Sequence, residues 1–429
     1  MNLEQELYRH IVSRYLHGQS PDGFDQDSAL IAGGILDYVS LMNLVFYVEK
    51  IYAIQFGEEE LVPEHFESIR VIAQLVEKKI AAQNRPVPTA DDERYAQMMP
   101  HWGTYSFGLG TVVTPYIMRH APANFRSECV NTDAYGFRLS YDAEGVVDSQ
   151  SWWQRKRRGL VIGNSLAFGK GASNDRASLV SVLNARSDYS FLNLGVLAGN
   201  STQELIAALP FLSGAECVLV CAGEANLNLN LLRASAYDLY GCFAGEEIFG
   251  NLGQVEFQDV PQLLKRSAPQ LRQRFAECVK PPPTEMPLTD EAAEARMERA
   301  LELERRDLQM LVRLCEPSAP IFFALQLCAG VAKPNLTSEE EFLFERLRRK
   351  DKIWWKVVDS YTRKFVPRVS QALGQICADL GVAYTDLNQL DFEGWCFYDH
   401  GHLTDRGYRQ VGEYLAGWMR KETGRQESR

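Results

Sequence analysis

One serine of this sequence stands where a hydroxyl group could act as a nucleophile. The tripeptide Gly163-Asn164-Ser165 follows the apolar residues 160–162 and precedes a glycine-rich turn. A serine between a buried strand and such a turn can present its hydroxyl to a substrate carbonyl. Its own backbone N–H can then face the oxyanion that develops. Taken alone, the segment is equally consistent with a helix cap in a glycine-serine turn.

The histidine content narrows the choice of a base for this serine. Of seven His residues, only His400 and His402 follow residue 120, and Asp399 directly precedes them. A carboxylate three residues before His402 can fix the tautomer of the imidazole and stabilise its positive form, which leaves the other ring nitrogen to take the Ser165 proton. The alternative interpretation is a polar loop that caps the next helix.

Four short blocks follow one another in a recognisable order. They are Gly163-Asn164-Ser165-Leu166, Gly199-Asn200, Gly223-Glu224-Ala225-Asn226 and Asp399-x-x-His402. Each block alone is weak evidence, but in this order they resemble the blocks of the SGNH/GDSL hydrolase superfamily over about residues 160–420. The segment 131–138 is similar to one that precedes such domains in many bacterial proteins.

The resemblance implies a role for each matching residue. It implies Ser165 as the nucleophile, His402 as general base and then general acid, and Asp399 as the carboxylate that orients the imidazole. It also implies an oxyanion hole from the backbone N–H groups of Ser165 and Gly199 and a side-chain amide of the third block. Gly199 has a reason of its own, because a residue without Cβ lets a backbone donor approach the reacting oxygen closely.

Two positions depart from the family pattern. Asn164 replaces the usual Asp of the first block, which takes no part in acyl transfer. In the third block the amide-bearing Asn of the family aligns with Ala225, and Asn226 stands where Asp is more usual. Either a small shift lets Asn226 reach the oxyanion, or only two backbone donors remain, at a cost on the order of 10² to 10³ in turnover.

The sequence pattern of the elements that must position these residues predicts a doubly wound α/β domain. Short runs that are apolar throughout alternate with helical stretches, which is typical of parallel strands covered by helices on both faces. The runs lie at 160–162, 191–194, 217–221, 321–325 and 382–384. We expect an SGNH-hydrolase-like, flavodoxin-like parallel sheet over 159–425, with an insertion at about 227–315 that ends in a charged helix over 289–314.

The first 85 residues predict a smaller, separate domain. Apolar positions recur at helical spacing, which indicates an all-α domain of four helices. The segment carries 13 acidic and seven basic side chains, so it supplies six of the 11 net negative charges. The proline-containing segment 86–100 is predicted to be a linker, and 101–158, rich in aromatic residues and Gly, an irregular lead-in to the larger domain.

This N-terminal segment resembles an acyl carrier protein across about residues 1–82. The resemblance rests on residues 33–41, 48–54 and 66–72. Carrier proteins attach phosphopantetheine to a Ser directly after a motif Asp, and here that position is Tyr38. Ser40 is turned by about 200° from it on a helix, so we expect no phosphopantetheine. The domain is interpreted either as a docking or regulatory module or as an inherited helical domain.

Composition excludes several classes of protein. With 429 residues, 46% apolar and 24% charged, the chain can form full hydrophobic cores, which excludes disordered and fibrous classes. The net charge of −11 argues against nucleic-acid and anionic-membrane partners, and no apolar run reaches the roughly 18 residues of a membrane span. Nine Cys without metal-ligand spacing, and no secretory signal, favour a reduced, cytoplasmic compartment.

Together these features predict a serine acyl hydrolase or acyltransferase that forms an acyl-Ser165 intermediate and requires no metal or organic cofactor. An esterase, a thioesterase and an O-acyltransferase remain open. The expected partners are an acyl-bearing small molecule or a carrier-bound acyl group, with an acyl carrier protein or a biosynthetic enzyme as protein partner. The alternative is a non-enzymatic docking or scaffold protein, built from a carrier-like domain without its serine and a degenerate hydrolase domain.

Overall fold

The chain folds into two units, each with its own kind of secondary structure. The computed structural model describes residues 3–16, 19–21, 23–36, 38–52, 54, 56, 60, 62–82, 90–105, 109, 112–114, 116–232, 239–242, 288–350 and 352–427. Of these, the residues up to 109 and 122–127 form the first unit, and 112–121 with those from 128 onward form the second. Most of the predicted insertion at 227–315 lies outside the described residues.

The first unit is helical, as the spacing of its apolar residues predicts. Its helices pack around one apolar core, to which the first contributes Leu7 and Ile11 and the second Leu44 and Val48, all fully or almost fully buried. These pairs are four residues apart and so lie on one helical face. The elements are α1 (Leu3–Tyr15), α2 (Tyr38–Tyr52), a 3₁₀ turn (Pro63–Phe66) and α3 (Ile69–Ala82).

The predicted linker and lead-in contain more regular structure than their composition indicates. Residues Ala90–Met98 form a helix, α4, none of whose residues is buried. Three acidic side chains lie in its first turn, where the positive end of the helix dipole favours them. The lead-in forms two short antiparallel pairs, β1 (Val112–Thr114) with β2 (Met118–His120) and β3 (Ser140–Asp142) with β4 (Gly145–Val147).

A five-stranded parallel sheet organises the second unit. Its strands are β5 (Arg158–Gly163), β6 (Ser190–Gly195), β7 (Cys217–Ala222), β8 (Ile321–Leu325) and β9 (Ala383–Asp386). Their order across the sheet is β6-β5-β7-β8-β9, and every neighbouring pair is parallel. The predicted α/β fold with a doubly wound parallel sheet and a helical N-terminal region is confirmed.

Helices cover both faces of this sheet, and the strands are accordingly apolar on both sides. All six residues of β7 and all five of β8 are buried. The helices are α5 (Ser165–Phe168), α6 (Leu179–Asn184), α7 (Ser201–Ala208), α8 (Glu224–Leu232), α9 (Asp290–Leu314), α10 (Ala329–Ala332), α11 (Ser338–Lys350), α12 (Lys352–Val357), α13 (Arg363–Leu380) and α14 (Asp405–Glu427). Thr289 caps α9, whose bounds agree with the predicted helix.

The strand order places a topological switch point at β5. The chain leaves β5 for β6 on one side, returns to β7 on the other side, and Gly163 pairs with both Gly195 and Cys221 at the carboxyl ends. Ligands bind at such a switch point in open α/β sheets. The loops after β5, β6 and β7 are therefore where the functional residues are expected to meet.

Two further properties concern the described part of the chain alone. None of its helices is both long and apolar enough to cross a membrane. Its eight Cys residues are buried thiols, and it holds no group of three or more His, Cys, Asp or Glu residues arranged to bind a metal ion.

Candidate active site

The first block forms a sharp turn from strand to helix that presents Ser165. The Asn164 side chain caps α5 by accepting a hydrogen bond from the backbone N–H of Leu166 at 3.1 Å. Gly163 has a φ of +154°, and a Cβ there would lie 2.3 Å from the carbonyl oxygen of Cys221. Only glycine fits this approach, so the turn leaves half-buried Ser165 at the first position of α5.

Ser165, His402 and Asp399 form one hydrogen-bonded row. The Oγ of Ser165 lies 2.8 Å from Nε2 of His402, and Nδ1 of His402 lies 2.7 Å from Oδ2 of Asp399. The other carboxylate oxygen, Oδ1, accepts the backbone N–H of Gly401 at 3.0 Å and that of His402 at 2.8 Å. The structure thus brings together the three residues predicted from the sequence, at distances that allow direct proton transfer.

Burial and charge set the protonation of this row. Burial by itself raises the pKa of Asp399, but the charge and hydrogen bond of His402 outweigh it, and the pKa stays well below its usual range. Burial lowers the pKa of His402, although Asp399 acts in the opposite direction. At neutral pH Asp399 is therefore ionised, and the neutral imidazole can accept a proton.

The second block lies at the start of α7. Asn200 is the N-cap of this helix, and its side chain and that of Gln203 bond reciprocally to backbone N–H groups. The backbone N–H of Gly199 donates a long bond of 3.3 Å to the carbonyl of Val196. An oxyanion could take over this weak bond. Its role there stays a prediction.

The geometry corrects the expectation for Asn226 as an oxyanion donor. Its Nδ2 donates to Oε2 of Glu304 at 2.9 Å and to Oγ of Ser201 at 3.1 Å, and the residue is 3% exposed. The amide is thus engaged with α9 and α7. The half-buried residue at the position of the family's amide is Ala225, which offers no side-chain donor. One residue along a helix turns a side chain by about 100°, so the side chains of Ala225 and Asn226 point in different directions.

A buried arginine of the lead-in supports the nucleophile turn. Arg138 is 0% exposed, pairs with Asp175 at 2.8 Å and donates to the carbonyl oxygen of Gly169 at 2.6 Å. Gly169, with a φ of +84°, ends the helix that Ser165 begins. The sequence contained this arginine at the end of segment 131–138, but nothing in the pattern indicated that it binds the turn.

Two residues near the row, Gln326 and Glu224, were not predicted to belong to the site. Gln326 directly follows β8, and its Oε1 accepts a hydrogen bond from the side-chain amide of Asn164. Glu224 begins α8, and its Oε1 lies 3.7 Å from Nε2 of His400. The rule that site residues follow the carboxyl ends of parallel strands applies to Gln326 and Glu224, so it could have pointed to both.

The fold and the row of three residues define an α/β protein with a doubly wound parallel sheet, a catalytic-type Ser-His-Asp arrangement and a helical N-terminal unit. No protein-family model matches the chain. The curated protein named "Probable acyl carrier protein PigG", from Serratia sp. (strain ATCC 39006), is 28% identical over 76 residues, which are 18% of this chain and 86% of that protein. The similar part is the N-terminal region.

Solved structures similar to the larger part of the chain have low identity. The native aryl esterase of M. smegmatis is 11% identical with a TM-score of 0.33, and the match covers 62% of this chain and 99% of that one. An extracellular lipase from Streptomyces rimosus is 12% identical with a TM-score of 0.33, and the match covers 60% of this chain and 97% of that one. A carbohydrate acetylesterase from Sinorhizobium meliloti is 13% identical with a TM-score of 0.33, and the match covers 62% of this chain and 99% of that one. The fold assignment itself rests on the strand order of this chain.

Proposed function

We propose that this protein is a serine acyl hydrolase or acyltransferase of the SGNH/GDSL type, which acts on an ester or thioester through an acyl-Ser165 intermediate. The observation that carries the proposal is the row from Ser165 through His402 to Asp399, with hydrogen bonds of 2.8 and 2.7 Å. Its orientation supports the role order nucleophile, base and orienting carboxylate.

The row supports a two-step reaction. Nε2 of His402 takes the proton as Oγ of Ser165 attacks the acyl carbon, and Asp399 stabilises the imidazolium that forms. The tetrahedral intermediate collapses when the same nitrogen gives its proton to the leaving oxygen or sulfur, and the acyl group stays on Ser165. A water, hydroxyl or amine then attacks the acyl carbon and gives its proton to His402. His402 passes that proton to Oγ of Ser165 as the acyl–Oγ bond breaks, which releases the acid or the acylated acceptor and restores the serine.

Two backbone groups are proposed to stabilise the oxyanion, the N–H groups of Ser165 and Gly199. Asn226 does not contribute, because its amide already binds Glu304 and Ser201. Loss of one side-chain donor costs on the order of 10² to 10³ in turnover, so we expect an enzyme slower than one with three donors. This fits an acyltransferase as well as a hydrolase, since both reactions pass through the same acyl-enzyme and depend on the same oxyanion donors.

The N-terminal unit supports a carrier-bound acyl group as the substrate. Its sequence is similar to an acyl carrier protein over 76 residues. We include a role in biosynthesis and an acyl carrier protein or a biosynthetic enzyme as partner in this proposal. A cytoplasmic location is also included, supported by eight buried cysteine thiols in the described part.

Labelling with a fluorophosphonate probe tests the proposal directly. The wild-type protein should react covalently at Ser165, and the Ser165→Ala variant should not. Ser173→Ala is a matched control, because the Ser173 hydroxyl donates to Asp405 and not to an imidazole. If the folded wild-type protein stays unlabelled where a known serine hydrolase reacts, the enzyme proposal fails and the scaffold alternative takes its place.

A second experiment separates hydrolysis from transfer. Acyl esters and acyl thioesters of increasing chain length are supplied with and without hydroxyl or amine acceptors, and both free acid and acylated acceptor are measured. A transferase should give mainly acylated acceptor, and free acid alone should appear with a hydrolase. If neither product forms with any ester or thioester although Ser165 is labelled, the proposal that the substrate is an ester or a thioester is contradicted.

A further inference from the structure

A second carboxyl-imidazole pair lies beside the catalytic row. Oε1 of Glu224 is 3.7 Å from Nε2 of His400, and Nδ1 of His400 is 4.0 Å from Oδ1 of Asp399. Glu224 comes from the third block and His400 from the fourth. Neither residue has a part in the proposed reaction, so their position requires a separate explanation.

The carboxyl group of Glu224 lies near the backbone of the turn that carries Asp399 and His402. A Cβ on Gly401 would lie 4.0 Å from Oε2 of Glu224. Gly401 stands between His400 and His402, and its backbone N–H donates to Asp399. The Glu224 carboxyl therefore lies beside the turn whose backbone geometry holds Asp399 and His402 together, and it faces the side chain of His400 in that turn.

A short chain of hydrogen bonds fixes the orientation of this carboxyl group. The side-chain amide of Asn228, one turn further along α8, donates to Oε1 of Glu224. The hydroxyl of Thr362 donates to Oδ1 of Asn228 at 2.6 Å, which sets the direction of that amide. All three side chains are buried, with Glu224 3% exposed. The group is thus held in one place.

Two buried carboxyl groups that face the same imidazole cannot both be ionised at little cost. Burial raises the pKa of Glu224 to about 8, and the negative charge of Asp399 adds to the effect, while the Asn228 bond opposes it. Asp399 keeps its charge because His402 stabilises it. At neutral pH the site therefore holds one carboxylate, Asp399, and one neutral acid, Glu224.

We propose that Glu224 is a positioning residue for the reaction at Ser165, and this inference rests on the proposed function. As a neutral acid it lies against His400 and close to Gly401, which keeps the 399–402 turn in the geometry that lets His402 reach the serine. When Glu224 ionises, a second buried negative charge faces Asp399, and repulsion between the two carboxylates displaces the turn.

The other titratable groups around this position act in identifiable ways. Asp399 and His400 face Glu224 from the catalytic turn. Cys328, which precedes α10, is electrostatically coupled to Glu224, but its pKa is raised to about 12, mainly by burial, so it stays neutral. Lys170, beyond α5, acts on Asp399 and His402 through its positive charge. Of these groups Glu224 is the one whose raised pKa lies near 8.

The pH dependence of labelling at Ser165 tests this inference. The second-order rate constant for a fluorophosphonate probe is measured from pH 5 to pH 9.5 in the wild type and in Glu224→Gln. The wild-type rate should fall at least about tenfold between pH 7 and pH 9.5, as the neutral form of Glu224 disappears. The Gln variant cannot ionise there, so its rate should stay level over this range.

Glu304→Gln is the matched control. Glu304 is also buried, has a pKa raised to about 8 and accepts a hydrogen bond from an Asn of α8, but it lies on α9 and faces α7 and α8 and not the catalytic turn. The alkaline fall should persist in this variant. Thermal unfolding at each pH confirms that every sample is folded during the measurement.

A third variant keeps the test decisive if Glu224→Gln does not fold. Asn228→Ala removes the donor that lowers the pKa of Glu224, so the alkaline fall should move to higher pH. The inference is overturned if Glu224→Gln keeps the wild-type fall, if it loses labelling at every pH while folded, or if Asn228→Ala leaves the fall in place. An unlabelled wild type would overturn the proposed function itself, and this inference with it.

Discussion

The two carboxylate oxygens of Asp399 accept hydrogen bonds from different groups. Oδ2 accepts from the His402 ring, and Oδ1 accepts two backbone N–H groups of its own turn. Asp399→Asn should keep the turn, because an amide oxygen can still accept, but its NH₂ would face Nδ1 and enforce the wrong tautomer. We expect kcat to fall by on the order of 10⁴, measured with an acyl ester, at nearly unchanged Tm. A loss below about tenfold would contradict the assigned role.

The third block allows two different predictions for neighbouring residues, no effect on kcat at one and a rise in kcat at the other. Asn226→Ala should leave kcat within about threefold of wild type, since the amide faces Glu304 and not the serine. Ala225→Asn should raise kcat, because it restores an amide at the position of the family's donor. Steady-state kinetics with one ester substrate measures both. A loss of 10² or more in Asn226→Ala would return that residue to the oxyanion hole.

At the scale of elements, strands were predictable and side-chain directions were not. Each of the five apolar runs forms a strand, because a run buried on both faces leaves little choice of structure. The Ser-His-Asp row followed from the scarcity of histidine. By contrast, the direction of Asn226 depends on a rotation of about 100° per residue along α8, and the pair of Glu224 with His400 depends on how two loops meet. Neither is encoded in a local pattern.

The lead-in is coupled to the nucleophile turn through one buried ion pair. Arg138→Met would leave Asp175 4% exposed without its cation, and removal of one partner from such a pair costs about 3 to 5 kcal/mol. It would also remove the donor to the Gly169 carbonyl, so labelling of Ser165 should slow. Chemical denaturation gives the free energy of unfolding. The double variant with Asp175→Asn should recover part of it, and no recovery would contradict the pairing.

Buried carboxyl groups between α7 and α9 should make the stability of the molecule depend on pH. Burial, with the charge of Asp307, raises the pKa of Glu304 from 4.5 to about 8. The folded state binds the proton more tightly than the unfolded chain, so this stabilisation is complete below about pH 4.5 and is lost as the pH rises towards 8. Glu204 and Glu304 line one cavity of about 20 Å³, and burial raises the pKa of Glu204 as well.

Replacement of Glu304 tests this dependence. At pH 8.5 the free energy of unfolding of Glu304→Gln should be higher than that of the wild type. This difference should shrink by up to about 1.4 kcal/mol per pH unit towards pH 4.5. Urea denaturation at pH 5, 6.5 and 8.5 measures it. A difference that does not change with pH would show that Glu304 does not titrate on unfolding in this range.

For the whole molecule, the question is what a carrier-like unit does without its attachment serine. Tyr38 stands at the first position of α2, where a carrier protein would place that serine, and Ser40 is half-buried one half-turn further on. Incubation of the full chain with coenzyme A and a phosphopantetheinyl transferase should therefore leave its intact mass unchanged. Tyr38→Ser should gain the mass of one phosphopantetheine group, because the variant then offers the transferase a serine within the motif and at the helix start that a carrier protein presents.

The intact masses of the wild type and of Tyr38→Ser after this incubation distinguish a docking or regulatory module from an inherited helical domain. If wild type stays unmodified and Tyr38→Ser is modified, the unit has kept the surface that carrier-modifying enzymes recognise, which favours a docking or regulatory role. If neither is modified, that surface is gone, and an inherited helical domain is the better interpretation. A mass gain of the wild type that maps to Ser40 would contradict the assignment of Tyr38, and the unit would then carry an acyl group to Ser165 or to a partner enzyme.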